Sequence, residues 1–225
     1  VRLDIYIKKI CRNASLEEKK EEIHACGACI GRALAELHKI NSKEGKISEH
    51  ILNLNKEDFK KKHMMMKEVK TDFSGKKMIE EIDEKGKKTK NYVSTKGIVH
   101  GDFAPRNIFF EEESQSVIVV DLESVADSVL KTGEGIGDIE KDIICFEEEI
   151  IVAFSRYPEE TKMLKEAFLM GYLSGGGRRD HEIVREYFRA LKKIDCYMKI
   201  LNMVDNIDEK NSKKARKEKN KMIKK

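Results

Sequence analysis

One stretch of the sequence, residues 98–123, decides how the rest of the chain is interpreted. It begins Ile98-Val-His-Gly-Asp-Phe-Ala-Pro-Arg-Asn-Ile-Phe-Phe110 and ends Val119-Val-Asp-Leu-Glu123. Two short apolar runs, 108–110 and 117–120, are separated by a polar segment. Their β-branched and aromatic residues predict the two strands of a small antiparallel hairpin. Pro105 excludes a helix interior immediately before the first strand.

The polar side chains of this stretch stand at the two ends of the predicted hairpin. Asn107 precedes the first strand, Asp121 follows the second, and Asp102 lies five residues before Asn107. Mg²⁺ prefers hard oxygen ligands and takes only one or two from protein side chains, a demand that Asn107 and Asp121 would meet. Asp102 could then orient or deprotonate an attacking hydroxyl. The pattern indicates magnesium-assisted phosphoryl transfer, and the alternative is a polar loop and turn that only cap a core.

The order His100-Gly-Asp102, four further residues, Asn107, a hairpin and Asp121-Leu-Glu123 resembles the catalytic core of the aminoglycoside phosphotransferase and choline kinase superfamily. The resemblance to these kinase-like phosphotransferases covers residues 1–205. It implies an α+β, mostly α fold: a protein-kinase-like C-terminal lobe whose small antiparallel hairpin holds the catalytic residues. It also implies ATP and Mg²⁺ as cofactors, with Asp102 as the catalytic base and Asn107 and Asp121 as the magnesium ligands.

Further residues receive supporting roles from the same resemblance. His100 would be a scaffold residue of the catalytic loop, and Asp142 would brace that loop by hydrogen bonds to its backbone. For Asp142 and for Asp138, which we predict at a helix N-cap, a charged first helical turn is the alternative. Arg106 could neutralise phosphate or be an ordinary solvated arginine, and Glu123 could orient the metal site or the acceptor.

The chain divides into parts along the sequence. In residues 1–14, Leu3, Ile5 and Ile7 alternate with Arg2, Asp4 and Tyr6, which predicts a strand. By the family resemblance, this strand would end an N-terminal lobe and link it to the next lobe. Residues 15–205 would form the kinase-like C-terminal lobe, in which the long insertion 41–97 could build the acceptor pocket. Residues 206–225 predict a basic, disordered tail.

Helical signals recur through the predicted lobe. The capping-box pattern Ser15-Leu-Glu-Glu18 opens a helix that should reach residue 40. Residues 85–90 are predicted as a loop because they combine glycine with a run of lysines. The same signals predict further helices over residues 56–68, 74–84, 139–150, 159–173 and 179–203.

Charge is distributed unevenly along the chain. The formal net charge is +4, but residues 206–225 hold nine lysines and arginines against three acidic residues, a net of +6. The body therefore carries +4 minus +6, or −2. This balance argues against a nucleic-acid-binding body and leaves a weak contact with an anionic partner open for the tail.

Other sequence features narrow the setting. The five cysteines form no disulfide framework, and Cys26 and Cys29 lack the second pair that a zinc site would need. No run has the length of a membrane span and the N-terminus lacks a secretory signal, so the prediction is a cytoplasmic protein.

The leading hypothesis is an ATP- and Mg²⁺-dependent kinase of a small hydroxylated molecule. His38 and His100 lie 62 positions apart, a spacing that favours small-molecule kinases, which build an acceptor pocket there. For a cationic acceptor, the acidic runs 111–113 and 147–149 are candidate surfaces. One alternative is an atypical protein kinase of the tRNA threonylcarbamoyl-adenosine pathway. Another is a truncated, non-catalytic lobe that binds a nucleotide or a partner, because the glycine loop and strand lysine of an N-terminal lobe are not found before residue 98.

Overall fold

The computed structural model describes residues 1–40, 42–47, 52, 57, 61, 75–122 and 137–196. Helices predominate there, which confirms the predicted α+β, mostly α class. In chain order the elements are α1 (Leu3–Asn13), α2 (Leu16–Lys39), β1 (Lys43–Lys46), α3 (Gly75–Thr89), β2 (Val93–Gly97), a 3-10 turn (Pro105–Asn107), β3 (Ile108–Glu111), β4 (Ser116–Val119), β5 (Gly137–Asp138), α4 (Glu140–Ala153), α5 (Pro158–Ser174) and α6, described over 182–196.

Some predictions fall outside the described residues. These are Glu123, most of the predicted helix 56–68, and the basic tail 206–225.

The N-terminal segment is a helix, so the predicted strand is wrong. The buried side chains of α1 recur at spacings of three and four residues: Leu3, Tyr6, Ile7, Ile10 and Cys11. Ile5, which a strand would place beside Leu3 and Ile7, is 53% exposed. Three apolar residues at two-residue spacing suggested a strand, but the burial follows the helical spacing that Ile10 and Cys11 continue.

The long helix α2 packs closely against α5 and forms the main core with α1, α4 and the hairpin. Its predicted capping box is confirmed, because the Ser15 side chain accepts from the Glu18 N–H and the Glu18 carboxylate accepts from the Ser15 N–H. Glycines let the two backbones touch. A Cβ on Gly31 would overlap the carbonyl oxygen of Phe168, and one on Gly171 would overlap the backbone of Ala28.

The predicted hairpin is confirmed. β3 and β4 pair antiparallel, with Ile108 opposite Val119 and Glu111 opposite Ser116. A second, unpredicted sheet of three antiparallel strands has the order β1-β2-β5. β2 leads out of this sheet towards residues 98–107, so the sheet and the hairpin hold the two ends of that segment.

Two boundaries differ from the predictions. Helix α3 continues to Thr89, so the loop predicted at 85–90 is wrong. There, Lys85 pairs with Glu81 at 3.1 Å and Lys88 with Glu84 at 2.6 Å, and these i,i+4 pairs favour a helix.

The predicted N-cap role of Asp138 is also wrong. Helix α4 begins at Glu140, and Asp138 instead lies in β5. Its carboxylate accepts a hydrogen bond from Ser94 Oγ at 2.6 Å and pairs with Lys96. Pairing across the sheet competes successfully with capping because both partners come from the adjacent strand β2.

Helix α4 lies between two apolar clusters. Ile143, Phe146 and Ile150 belong to the main core, whereas Ile144 packs with Val184 and Tyr187 of the α6 region in a second cluster. The helix is therefore covered on more than one side, and its polar residues must find partners inside the protein.

The five cysteines are all buried free thiols. Burial raises the pKa of Cys26 above its usual range, which leaves this thiol protonated and unreactive. None of the helices in the described ranges combines the length and apolar character that crossing a membrane requires.

Candidate active site

The loop between β2 and the 3-10 turn is fixed by the buried imidazole of His100. Its Nε2 lies 2.9 Å from the carbonyl oxygen of Val120, which can only accept, so Nε2 carries the proton. Nδ1 is then an acceptor, and the N–H of Asp102 lies 3.3 Å from it. His100 thus ties the loop to the end of β4 and shapes the backbone at Asp102.

Asp142 holds the same loop from the other side. Its two carboxylate oxygens accept from the N–H of His100 at 2.6 Å and from the N–H of Gly101 at 2.8 Å. Gly101 has a φ of +85°, a conformation that glycine adopts without strain. These are the backbone contacts that the family resemblance implies for Asp142.

His38 completes the buried cluster around Asp142. Its Nε2 lies 3.2 Å from an Asp142 oxygen and its Nδ1 lies 2.9 Å from the Tyr172 hydroxyl. Because His38 is only 2% exposed, it supports the loop from within the core.

Asp102 is partly exposed, and two neighbouring side chains contact its carboxylate. Asn107 Nδ2 donates to the carbonyl oxygen of Asp102 and to its Oδ2, each at 3.0 Å. Arg106 forms an ion pair with the same Oδ2. The carboxylate is therefore oriented by two neighbours of the 3-10 turn while its residue keeps partial exposure.

Asp121 stands two residues after the end of β4, at the end of the hairpin where Asn107 precedes β3. The N–H of Val120 donates to the carbonyl oxygen of Asn107 at 2.9 Å, which joins the two strand ends. Asp121 is exposed and has a φ of +65°, a region that aspartate tolerates better than most residues. The structure thus places Asn107 and Asp121 at one end of one hairpin.

The chemistry of these groups fits a magnesium ion. Asn107 commits its nitrogen to Asp102, which leaves its side-chain oxygen as the atom that could face a cation. Asp121 offers an exposed carboxylate. Oxygen donors of this kind, few in number, are what Mg²⁺ takes from a protein when phosphates and water supply the rest.

Sequence reasoning missed one direct neighbour of Asp102 and two residues that are linked to it through Arg106. Cys145 Sγ lies 3.9 Å from Asp102 Oδ1, Glu149 pairs with Arg106 at 3.2 Å, and Lys192 of α6 pairs with Glu149 at 2.9 Å. The spacing Asp142, Cys145, Glu149 could have revealed this, since steps of three and four place all three on one face of α4.

Asp102, Cys145 and Glu149 are close enough to one another to ligate a metal, but the ammonium group of Lys192 already pairs with Glu149. Burial disfavours the charge of Lys192, yet its interactions with Cys145 and Glu149 outweigh burial and raise its pKa. Burial raises the pKa of Cys145 to about 12, so this thiol is not a ready metal ligand. We interpret the cluster as a series of ion pairs that runs from Lys192 through Glu149 and Arg106 to Asp102.

The acidic run 147–149 is compensated inside the lobe. Glu147 pairs with Arg179 at 3.1 Å and with Arg189 at 3.3 Å, and Glu148 pairs with Arg189 at 3.4 Å. Since Glu149 pairs with Arg106 and Lys192, these carboxylates do not present the uncompensated negative surface that a cationic acceptor would require.

Comparisons with known proteins agree with this architecture. The model of a phosphotransferase enzyme family, APH, matches residues 10–127. A crystal structure of an aminoglycoside-3'-phosphotransferase of type VIII is similar, with a TM-score of 0.51 and 14% identity. The similarity covers 77% of this chain and 62% of that enzyme, so the chain spans less than two thirds of its length.

That structural similarity confirms the predicted kinase-like fold. A search of curated proteins gave no match. The family match spans more than half of the 225 residues and includes the loop, the 3-10 turn and the hairpin. The chain therefore belongs to the phosphotransferase enzyme family.

Proposed function

We propose that this chain is a kinase that transfers the γ-phosphoryl group of ATP, with Mg²⁺, to a hydroxyl of a small molecule. One observation supports this most strongly: a carboxylate on a braced loop lies beside Asn107, and the same hairpin end bears Asp121. A loop that only capped the core would not need a buried carboxylate to fix its backbone.

In this proposal Asp102 accepts the proton of the attacking hydroxyl. Asn107 and Arg106 hold its Oδ2, so the carboxylate is oriented before an acceptor arrives. His100 and Asp142 fix the loop backbone beneath it. Positioning of this kind supplies much of the rate enhancement in phosphoryl transfer, where little covalent chemistry falls to the protein.

Asn107 and Asp121 are the residues that would hold the metal. Magnesium, when bound with ATP, neutralises charge that develops on the transferred group. Arg106 lies beside Asp102, and its side chain is 41% exposed. It could therefore also face a phosphate oxygen. Glu123 keeps its proposed role near the metal or the acceptor.

The proposed partners are a nucleotide and a small hydroxylated acceptor. The internal pairing of Glu147, Glu148 and Glu149 argues against this run as the surface for a cationic acceptor, whereas the exposed run 111–113 keeps that role as a proposal. Five free thiols suit a reducing compartment, which supports the proposal of a cytoplasmic protein.

The first test is a calorimetric titration of Mg-ATP into the 225-residue chain. We expect binding that requires Mg²⁺ and that weakens at least about tenfold in Asp121→Asn, because one of two protein ligands is lost. Glu113→Gln is the matched control, since it also removes one exposed carboxylate of the same hairpin and should bind as the parent does. Equal binding by Asp121→Asn and the parent would contradict the proposal that Asp121 is a metal ligand.

A second variant separates chemistry from binding. Asp102→Ala should keep the affinity for Mg-ATP but lower turnover by at least about 100-fold in a screen of hydroxylated small molecules. Turnover within a few-fold of the parent would contradict the role of Asp102 as the base. Phosphate incorporation into a protein instead of a small molecule would favour the protein-kinase alternative.

A further inference from the structure

A cavity of about 440 Å³ lies outside the candidate active site. It is formed by the end of α2, strands β1 and β2, and the residues that follow α5, and neither Asp102, Asn107 nor Asp121 lines it. Its volume falls in the range of small-molecule sites. The proposed kinase reaction uses none of its accessible side chains.

The rim of this cavity is predominantly basic. Of the described residues that line it, Lys39, Lys43 and Arg178 are basic and Glu44 alone is acidic. Arg178 pairs with Glu44 at 3.2 Å, and both side chains are more than 60% exposed. Lys39 pairs at 2.8 Å with Glu36, which is 70% exposed. Exposed pairs such as these contribute little free energy, so an incoming anion can replace them.

The floor of the cavity is polar and buried. It includes His38, Tyr172 and Thr95, each less than 9% exposed. Because the Asp142 carboxylate only accepts, His38 donates through Nε2 and its Nδ1 can accept from the Tyr172 hydroxyl. The N–H of Gly177, the residue before Arg178, donates to the carbonyl oxygen of Tyr172 at 2.9 Å. The segment that holds the rim residue Arg178 is thus joined through Tyr172 to His38.

This path continues to the catalytic loop. The Asp142 oxygen that faces His38 also accepts from the N–H of His100, and its second oxygen accepts from Gly101. A displacement of Arg178 by a ligand would therefore act, through three buried side chains, on the backbone next to Asp102. The path consists of direct hydrogen bonds, from Gly177 to Tyr172, from Tyr172 to His38, between His38 and Asp142, and from the loop backbone to Asp142.

We propose that the cavity binds a small molecule through a phosphate group, and that the bound ligand adjusts the catalytic loop through Tyr172, His38 and Asp142. Phosphate is the group that one arginine and two lysines match best, since it offers several acceptor oxygens and two negative charges. The binding does not depend on the proposed kinase function, whereas the importance of the loop response does.

The test is an NMR titration of the full 225-residue chain with inorganic phosphate at constant ionic strength. We expect saturable shifts of the Thr95 and Arg178 amides and of the His38 ring, with smaller shifts at the His100 and Gly101 amides. Arg178→Glu should weaken binding about tenfold or more, because it replaces an attraction by a repulsion. Lys46→Glu is the matched control: it makes the same charge change on β1, is exposed, and does not line the cavity.

Tyr172→Phe tests the path separately. Phosphate should still shift Arg178, but the response of His100 and Gly101 should be lost. Equal weakening by Lys46→Glu and Arg178→Glu would overturn the site, since it would mean general attraction to a basic surface. Shifts that centre on Asp102 and Asn107 and leave Thr95 unchanged would also overturn it, and would point to phosphate in the active site instead.

Discussion

At the scale of single residues, the carboxylate of Asp142 decides the shape of the catalytic loop. It is fully buried and takes hydrogen bonds from the N–H groups of His100 and Gly101 and from His38. Asp142→Asn replaces one acceptor oxygen by a donor, so at least one N–H loses its partner. We expect a loss of about 1–3 kcal/mol in the free energy of unfolding.

Amide hydrogen exchange shows which backbone N–H groups lose protection in Asp142→Asn. The amides of His100 and Gly101 should exchange about tenfold faster for each 1.4 kcal/mol lost. Asp138→Asn is the control, because Asp138 is also buried but contacts Ser94 and Lys96 of the neighbouring strand. If both variants changed these two amides equally, the loop would not depend on Asp142 in particular.

At the scale of elements, the contact between α2 and α5 depends on glycines, which have no side chain to separate the two backbones. Alanine favours a helix over glycine by about 1 kcal/mol, but a Cβ at Gly31 would overlap the carbonyl oxygen of Phe168. Relieving this overlap requires the backbone to move, so the cost of overpacking, about 1–3 kcal/mol or more, should exceed the gain in helix propensity. We expect Gly31→Ala to lower the urea midpoint. Gly45→Ala, where the nearest atom is 4.0 Å away, should change the midpoint little.

The same elements show what the sequence can predict. The hairpin and the capping box follow from short-range patterns, and both are present in the structure. The alternation at residues 3–7 is too short to distinguish the two-residue period of a strand from the 3.6-residue period of a helix. Packing of α1 against α2 and β3 selects the helix. The series of ion pairs from Asp102 through Arg106 and Glu149 to Lys192 joins residues 90 positions apart, and no local pattern encodes it.

At the scale of the whole molecule, α6 and the segment before it neutralise the buried acids of α4. Glu140 and Glu147 are at most 1% exposed, and Arg179 contacts them at 2.6 and 3.1 Å. Removing one partner of such a group leaves a buried charge, so Arg179→Met should cost about 3–5 kcal/mol at neutral pH. Arg178→Met, the exposed neighbour, should cost less than about 1 kcal/mol.

The loss should depend on pH in a defined direction. Burial already raises the pKa of Glu140, and the ion pair with Arg179 opposes that rise. Without Arg179 the pKa in the folded state rises further above its ordinary value of 4.5, so the folded state binds a proton that the unfolded state releases. Stability of the variant should therefore increase as pH falls from neutrality towards that value, and its deficit against the parent should narrow. Urea unfolding of both proteins across this range measures the deficit, and one that stayed constant with pH would show that Glu140 is not the charge left uncompensated.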